Sequence, residues 1–145
     1  MEQTLIILKP DATEKNIIGE CLRRFENSGL KIKKLEMRRL TMAQIQKFYG
    51  HLKGKISNKM FKNIAKFMTS SPVVLAILEG KEAIQKVKEI CGPTNPKEAP
   101  KGTLRGDFSK DDLIKNKLTD KETRNVIHRS ATLTESRQER KILGF

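Results

Sequence analysis

Residues 72–91 read PVVLAILEGKEAIQKVKEIC, and this stretch decides the fold class. Pro72 opens an apolar run, Val73–Glu79, and Gly80 breaks it, as expected of a short buried strand. Past the glycine the period changes: Ala83, Ile84, Val87 and Ile90 or Cys91 share one face of a helix. The same alternation recurs along the chain. Thr4–Lys9 (TLIILK) is a second buried strand, ended by Pro10. From about Glu14 to Ser28, Ile17, Ile18, Cys21, Leu22 and Phe25 recur at helical spacing, and Gly29 supplies the stop. Leu30–Leu40 alternates imperfectly, which predicts a half-buried strand with its lysines outward. Thr41 is placed to cap a helix through Phe48 and Tyr49, and Met60–Met68 reads as another helix. The order strand, helix, strand, helices, strand, helix predicts an α/β domain with helices packed over a small sheet.

A chain of 145 residues is expected to form one domain, and 37% hydrophobic residues suffice for its core. No apolar run approaches the roughly 20 residues of a membrane span. Cys21 and Cys91 form no CxxC pair and sit among apolar neighbours, which argues against a zinc site or a disulfide framework. The expected location is the cytoplasm, with no membrane partner. The formal charge is +13, and most of the excess lies between Lys31 and Lys66. Such a field attracts anions, nucleotides included. With no Trp and a single Tyr, the composition does not predict dedicated nucleic-acid binding.

After Cys91 the texture changes. Residues 92–108 (GPTNPKEAPKGTLRGDF) hold three prolines, three glycines and no hydrophobic period, so a functional loop is expected. Residues 109–124 nearly balance their charges, with a short helix around Asp111–Lys117; they are expected to form an exposed insertion outside the catalytic centre. Asn125–Thr132 is brief and apolar in the middle, and Thr134–Leu143 has helical spacing. Of the two histidines, His51 lies in a Gly/Lys-rich turn and reads as a surface residue. His128 ends a strand, with Asn125 beside it and Lys9, Thr94 and Arg105 available as phosphate donors. An imidazole that titrates near neutrality can attack phosphorus. No GxxxxGK[ST] loop or HRD segment is present, so P-loop and protein-kinase machinery is absent.

Four motifs, KPDA at Lys9–Ala12, GPTNP at Gly92–Pro96, KGTLRGDF at Lys101–Phe108 and NVIHRSA at Asn125–Ala131, together resemble the nucleoside diphosphate kinase family. The resemblance implies a ferredoxin-like βαββαβ fold, with helices over an antiparallel sheet. It implies transfer of the γ-phosphate of ATP or another nucleoside triphosphate to a nucleoside diphosphate through a phosphohistidine. Mg²⁺ is then held mainly through the nucleotide phosphates, with no protein ligand set of its own. It also implies a homo-oligomer, a tetramer or hexamer. By motif, His128 matches the phosphorylated residue, and Lys9, Tyr49, Thr94, Arg105 and Asn125 match positions around phosphate and sugar. Ser130 matches a supporting serine; a C-terminal glutamate, Glu139 or else Glu135, should hold the other ring nitrogen. Met60 stands where an aromatic commonly stacks on the base, with Ile64 as the other apolar wall, and Lys88 replaces a phosphate-binding arginine. Both changes predict looser nucleotide binding. Arg129 puts a large cation next to the nucleophile in sequence. The competing reading is a catalytically weak relative that binds nucleotide or nucleic acid.

Overall fold

Two of the expected strands are apolar at consecutive positions, so neither of their faces can be left to water. In the computed structural model, which describes residues 1–145, they are the central strands of a four-stranded antiparallel sheet ordered β2-β3-β1-β4. β1 (Glu2–Leu8) pairs with β3 (Val73–Gly80) along its whole length; β2 (Lys31–Arg38) and the short β4 (Ile127–Arg129) are the edges. This is the ferredoxin-like order, as expected.

The helices are α1 (Pro10–Glu14), α2 (Ile18–Asn27), α3 (Met42–Phe48), α4 (Asn58–Met68), α5 (Ala83–Cys91), α6 (Leu104–Phe108), α7 (Leu113–Leu118) and α8 (Leu133–Leu143). Strand alternation sorts the core into two layers. Leu5, Ile7, Leu75 and Ile77 face α3, α4 and α8, among Ile45, Phe48, Phe67, Met68 and Leu143. Ile6, Leu8, Ala76 and Leu78 face α2 and α5, among Phe25, Val87 and Cys91.

Three local expectations need correction. The helix expected over about 14–28 starts later, at Ile18 in α2, and a short α1 precedes it, because Asn16 turns at φ +57° between the two. β2 is less buried than its alternation suggests. Ile32 packs against the core, but Leu35 and Met37 are 51% and 56% exposed on an edge strand whose register breaks between Ile32 and Lys34. Finally, the loop expected over 92–108 carries regular turns, a 3₁₀ turn at Pro96–Glu98 and then α6, capped by Thr103. Gly106 is required there: a Cβ would stand 2.0 Å from the Pro100 carbonyl oxygen.

Candidate active site

β4 positions the chemistry. His128 pairs with Ile7 across the ladder, so its ring lies on the same sheet face as Ile7 and, two residues on, Lys9. That is the face covered by α3, α4 and α8, and the Phe48 ring meets the imidazole edge-on at 4.8 Å. Glu139, on the second turn of α8, lies 3.0 and 2.9 Å from His128 Nε2 through its two carboxylate oxygens. It also accepts a 2.6 Å hydrogen bond from the Ser130 hydroxyl. Burial alone would push the Glu139 carboxyl up, but the hydrogen bonds from His128 and Ser130 outweigh it and leave it below its ordinary value. An ionised carboxylate only accepts, so Nε2 carries the proton and the Nδ1 lone pair is left free. Of the two C-terminal glutamates, Glu139 reaches the ring; Glu135 accepts from the Ala131 N–H instead.

The chain enters β4 through a strained turn. The Ile127 N–H bonds back to the Asn125 carbonyl at 2.8 Å around Val126, whose φ is +65°. A β-branched residue rarely adopts that conformation, which costs on the order of 1–3 kcal/mol. It is held by the Val126 N–H donating to buried Asp11 Oδ2 at 3.0 Å and by the Val126 carbonyl accepting from the Lys9 N–H at 2.9 Å. The Arg105 guanidinium braces the other side, donating to the carbonyls of Gly92, Ile127 and Asn125 at 2.8, 2.7 and 3.4 Å.

A cavity of about 300 Å³ opens beside this turn. Lys9, Tyr49, Met60, Ile64, Thr94 and Asn125 all line it. At its polar end Lys9 Nζ donates to Asn125 Oδ1 at 2.7 Å, and Asn125 Nδ2 donates to the Thr94 carbonyl at 2.9 Å. Burial, and then the nearby Arg105 charge, pull the Lys9 ammonium down to about 8. Burial, and then the Glu139 charge, push the Tyr49 phenol up. Leu52, Ile56, Phe67 and Met68, with Met60 and Ile64, make one wall apolar.

Sequence reasoning misplaced two groups. Arg129 is adjacent to His128 but pairs with Ile6, so alternation sends it to the opposite sheet face. There it shares a separate cavity with Lys88, Gly92 and Pro93 on the α5 side. Lys88 therefore does not line the cavity that holds Lys9. The second correction concerns residues 109–124, expected outside the centre: Leu113, Lys117, Glu122 and Thr123 form one of its walls. The segment is fastened across α4 by the Ser57 hydroxyl donating to Asp120 Oδ1 and Asn63 Nδ2 donating to the Asp120 carbonyl. The Arg124 guanidinium lies 4.9 Å from the centre of the Phe67 ring. Balanced charge suits a wall that faces solvent on one side as well as it suits a free loop, so the sequence did not discriminate. Phe48, against the imidazole, was equally invisible because it reads as one more helix-core position.

A profile of the nucleoside diphosphate kinase family matches residues 2–143. The chain belongs to that family. It is 44% identical over 129 residues to a nucleoside diphosphate kinase of Staphylothermus marinus, covering 89% of this chain and 82% of that one. It is 50% identical over 109 residues to one of Halorhodospira halophila, covering 75% of each. Among solved structures it superposes with TM-score 0.89 and 34% identity on a Borrelia burgdorferi nucleoside-diphosphate kinase, a transition-state mimic with bound vanadate and ADP. That match covers 97% of this chain and 85% of the other. An NDP kinase from Pyrobaculum aerophilum gives 0.85 at 30% identity, covering 97% and 94%. The protein is thus a nucleoside diphosphate kinase, a phosphotransferase that moves the γ-phosphate of a nucleoside triphosphate to a diphosphate with Mg²⁺.

The donor set fits an ion that arrives with the nucleotide. Glu122 is the only carboxylate lining the cavity. In the one cluster of imidazole and carboxylates, His128 and Glu139 are taken up by the bond that orients the ring, and Glu135 accepts from the Ala131 N–H. A hard, oxygen-seeking ion would then be held through the phosphate oxygens of the nucleotide and would offset their charge.

Proposed function

We propose that His128 is the nucleophile of this kinase and that the cavity beside the Asn125–Ile127 turn, which His128 itself does not line, is the nucleotide site. One observation carries the assignment: Glu139 occupies Nε2, which leaves Nδ1 as the free, unprotonated nitrogen on the face shared with Lys9. Nδ1 attacks the γ-phosphorus, the bond to the β–γ bridging oxygen breaks, and the diphosphate leaves with that electron pair. A phosphoramidate remains on the ring. The next diphosphate's terminal oxygen attacks the same phosphorus, and Nδ1 recovers its lone pair. Glu139 meanwhile stabilises the charge that develops on Nε2–H, as an orienting carboxylate does. Lys9 and Asn125 hold phosphate and sugar oxygens, with the Thr94 hydroxyl as a further donor, because phosphoryl transfer depends chiefly on positioning and charge. Arg105 supports the site by pinning the backbone on both sides of Val126. Met60 and Ile64 cover the base.

The test is direct. Incubation with γ-labelled ATP and no acceptor should leave acid-labile, base-stable label on the protein, and initial-rate lines should be parallel. Intersecting lines, or label retained in His128→Ala, would defeat the assignment.

The whole chain, residues 1–145, acts as one domain in this reading, because both core layers share one sheet. It works as a homo-oligomer, with the β2 edge as a subunit contact: Leu35 and Met37 stand exposed on it. Sedimentation of Met37→Lys should show a smaller species; an unchanged one would remove β2 from the contact. ATP-linked substrates and two free buried cysteines suit the cytoplasm.

A further inference from the structure

We infer that Glu122 and Lys117, on the 109–124 segment, read the nucleobase and make this enzyme prefer guanine nucleotides. The inference rests on the cavity being the nucleotide site. Its polar end, at Lys9, Asn125 and Thr94, suits phosphate and sugar, so the base extends along the apolar remainder. Met60 and Ile64 form one side of that remainder, and the inserted segment, with Leu113, forms another wall. An apolar slot alone covers any base. What the segment adds is hydrogen-bonding groups.

Glu122 is the informative one. Its side chain is only 14% exposed, and Arg124 engages just Oε1, through Nε at 3.4 Å and Nη2 at 3.3 Å. Oε2 has no hydrogen-bond partner although the residue lines the cavity. A carboxylate oxygen on a mostly buried side chain, with no protein donor bonded to it, is suited to a ligand's N–H. Lys117 Nζ, on the same wall, forms no ion pair and only donates. The wall therefore presents acceptor and donor together. Guanine is the base whose pairing edge sets two neighbouring donors, N1–H and the 2-amino group, beside an acceptor, O6. Adenine and cytosine bring one amino group to a carboxylate, and uracil or thymine a single imide N–H. A carboxylate facing ring acceptors is repelled, so the same group that favours guanine works against the others.

The experiment uses phosphoenzyme prepared with γ-labelled ATP and freed of nucleotide. Its dephosphorylation by GDP, dGDP, ADP, CDP and UDP is followed in single turnovers. GDP and dGDP should react alike, with a second-order constant about tenfold above that for ADP, a difference of about 1.4 kcal/mol. In Glu122→Gln the GDP-to-ADP ratio should fall toward one. In Lys117→Ala, an exposed position where folding is not at issue, it should fall several-fold. Equal constants for all bases would overturn the inference, as would a guanine preference that survives both substitutions. Discrimination between GDP and dGDP instead of between bases would also overturn it, by assigning Glu122 to the ribose. Failure to form any phosphoenzyme would count against the nucleophile assignment and is separate from these outcomes.

Discussion

The two faces of the sheet bury similar apolar sets, 15 residues under α2 and α5 and 13 under α3, α4 and α8, yet His128 and the cavity at Lys9 and Asn125 lie on the second. Their difference lies at the margin of each layer. On the α2/α5 side Phe25, Val87 and Cys91 are fully buried, and the cavity at Lys88, Gly92, Pro93 and Arg129 has no hydrophobic side chain in its lining. On the other side α4 stands off from the turn before β4, and the 109–124 segment bridges the gap instead of filling it. Both layers carry a cavity at the margin, but only the one under α4 is walled largely by apolar side chains. The two-residue period of β4 then separates the neighbours, sending His128 to the α3/α4/α8 side and Arg129 to the α2/α5 side.

The sharpest way to break this comparison is to substitute those neighbours. His128→Ala should lower phosphoryl transfer at least about a thousandfold, since a covalent route disappears with its nucleophile. Nucleotide binding should persist by calorimetry, because Lys9, Asn125 and Thr94 remain. Arg129→Ala, one residue on, should leave turnover within about threefold. A comparable loss in both would mean that strand parity does not separate the faces.

Next in size is Glu139→Gln. It removes the ionised acceptor that fixes the imidazole proton on Nε2, and turnover should fall about ten- to a hundredfold with little change in nucleotide dissociation constant. The Ser130 hydroxyl loses its charged partner too, so unfolding should come about 1–3 kcal/mol more easily. Unchanged turnover would detach Glu139 from the chemistry.

A smaller effect concerns pH. The Lys9 folded pKa, about 8, lies below its ordinary 10.5. Between those values the unfolded chain binds more protons than the folded one, so the Lys9 contribution makes the free protein more stable as pH rises from about 8 to 10.5. Below pH 8 the folded state holds a buried cation and bears the full penalty. Nucleotide phosphates need that cation. Affinity should therefore weaken several-fold as pH climbs above 8, with proton uptake on binding, and Lys9→Met should abolish that portion of the dependence. An identical profile in the variant would return Lys9 to a structural role.

The smallest effect on chemistry should come from the α2/α5 layer. Leu78→Ala should destabilise by about 2–5 kcal/mol and lower the melting temperature, while turnover at a temperature where it stays folded is unchanged. A matching loss of turnover would show that the two layers are coupled through β1.

Much of this was legible in the chain. VVLAIL and TLIIL announce central strands because apolar residues at every position leave no face for water. The four motifs name the family because their order and spacing hold together over nearly the whole length. Thr41 and Gln44 form their capping box where the sequence places a helix start. What could not be read are relations between segments. Lys88 carries a charge suitable for phosphate, but only the docking of α5 shows that it faces a different cavity. Residues 109–124 have the composition of a surface loop, and a wall of a site has that composition too.

The sequence by itself determined the alternating strands and helices, the family, the reaction, and the residue types that meet a phosphate, because periodicity and motif are local properties of a chain. Tertiary structure alone decided which nitrogen of His128 is free, which glutamate holds the other, and that Arg105 braces backbone carbonyls. It also decided that an insertion borders the site. The physical reason is that each depends on an approach of a few ångströms between residues far apart in the chain, such as the 116 positions between Lys9 and Asn125. Packing sets such distances, and packing is a property of the whole fold.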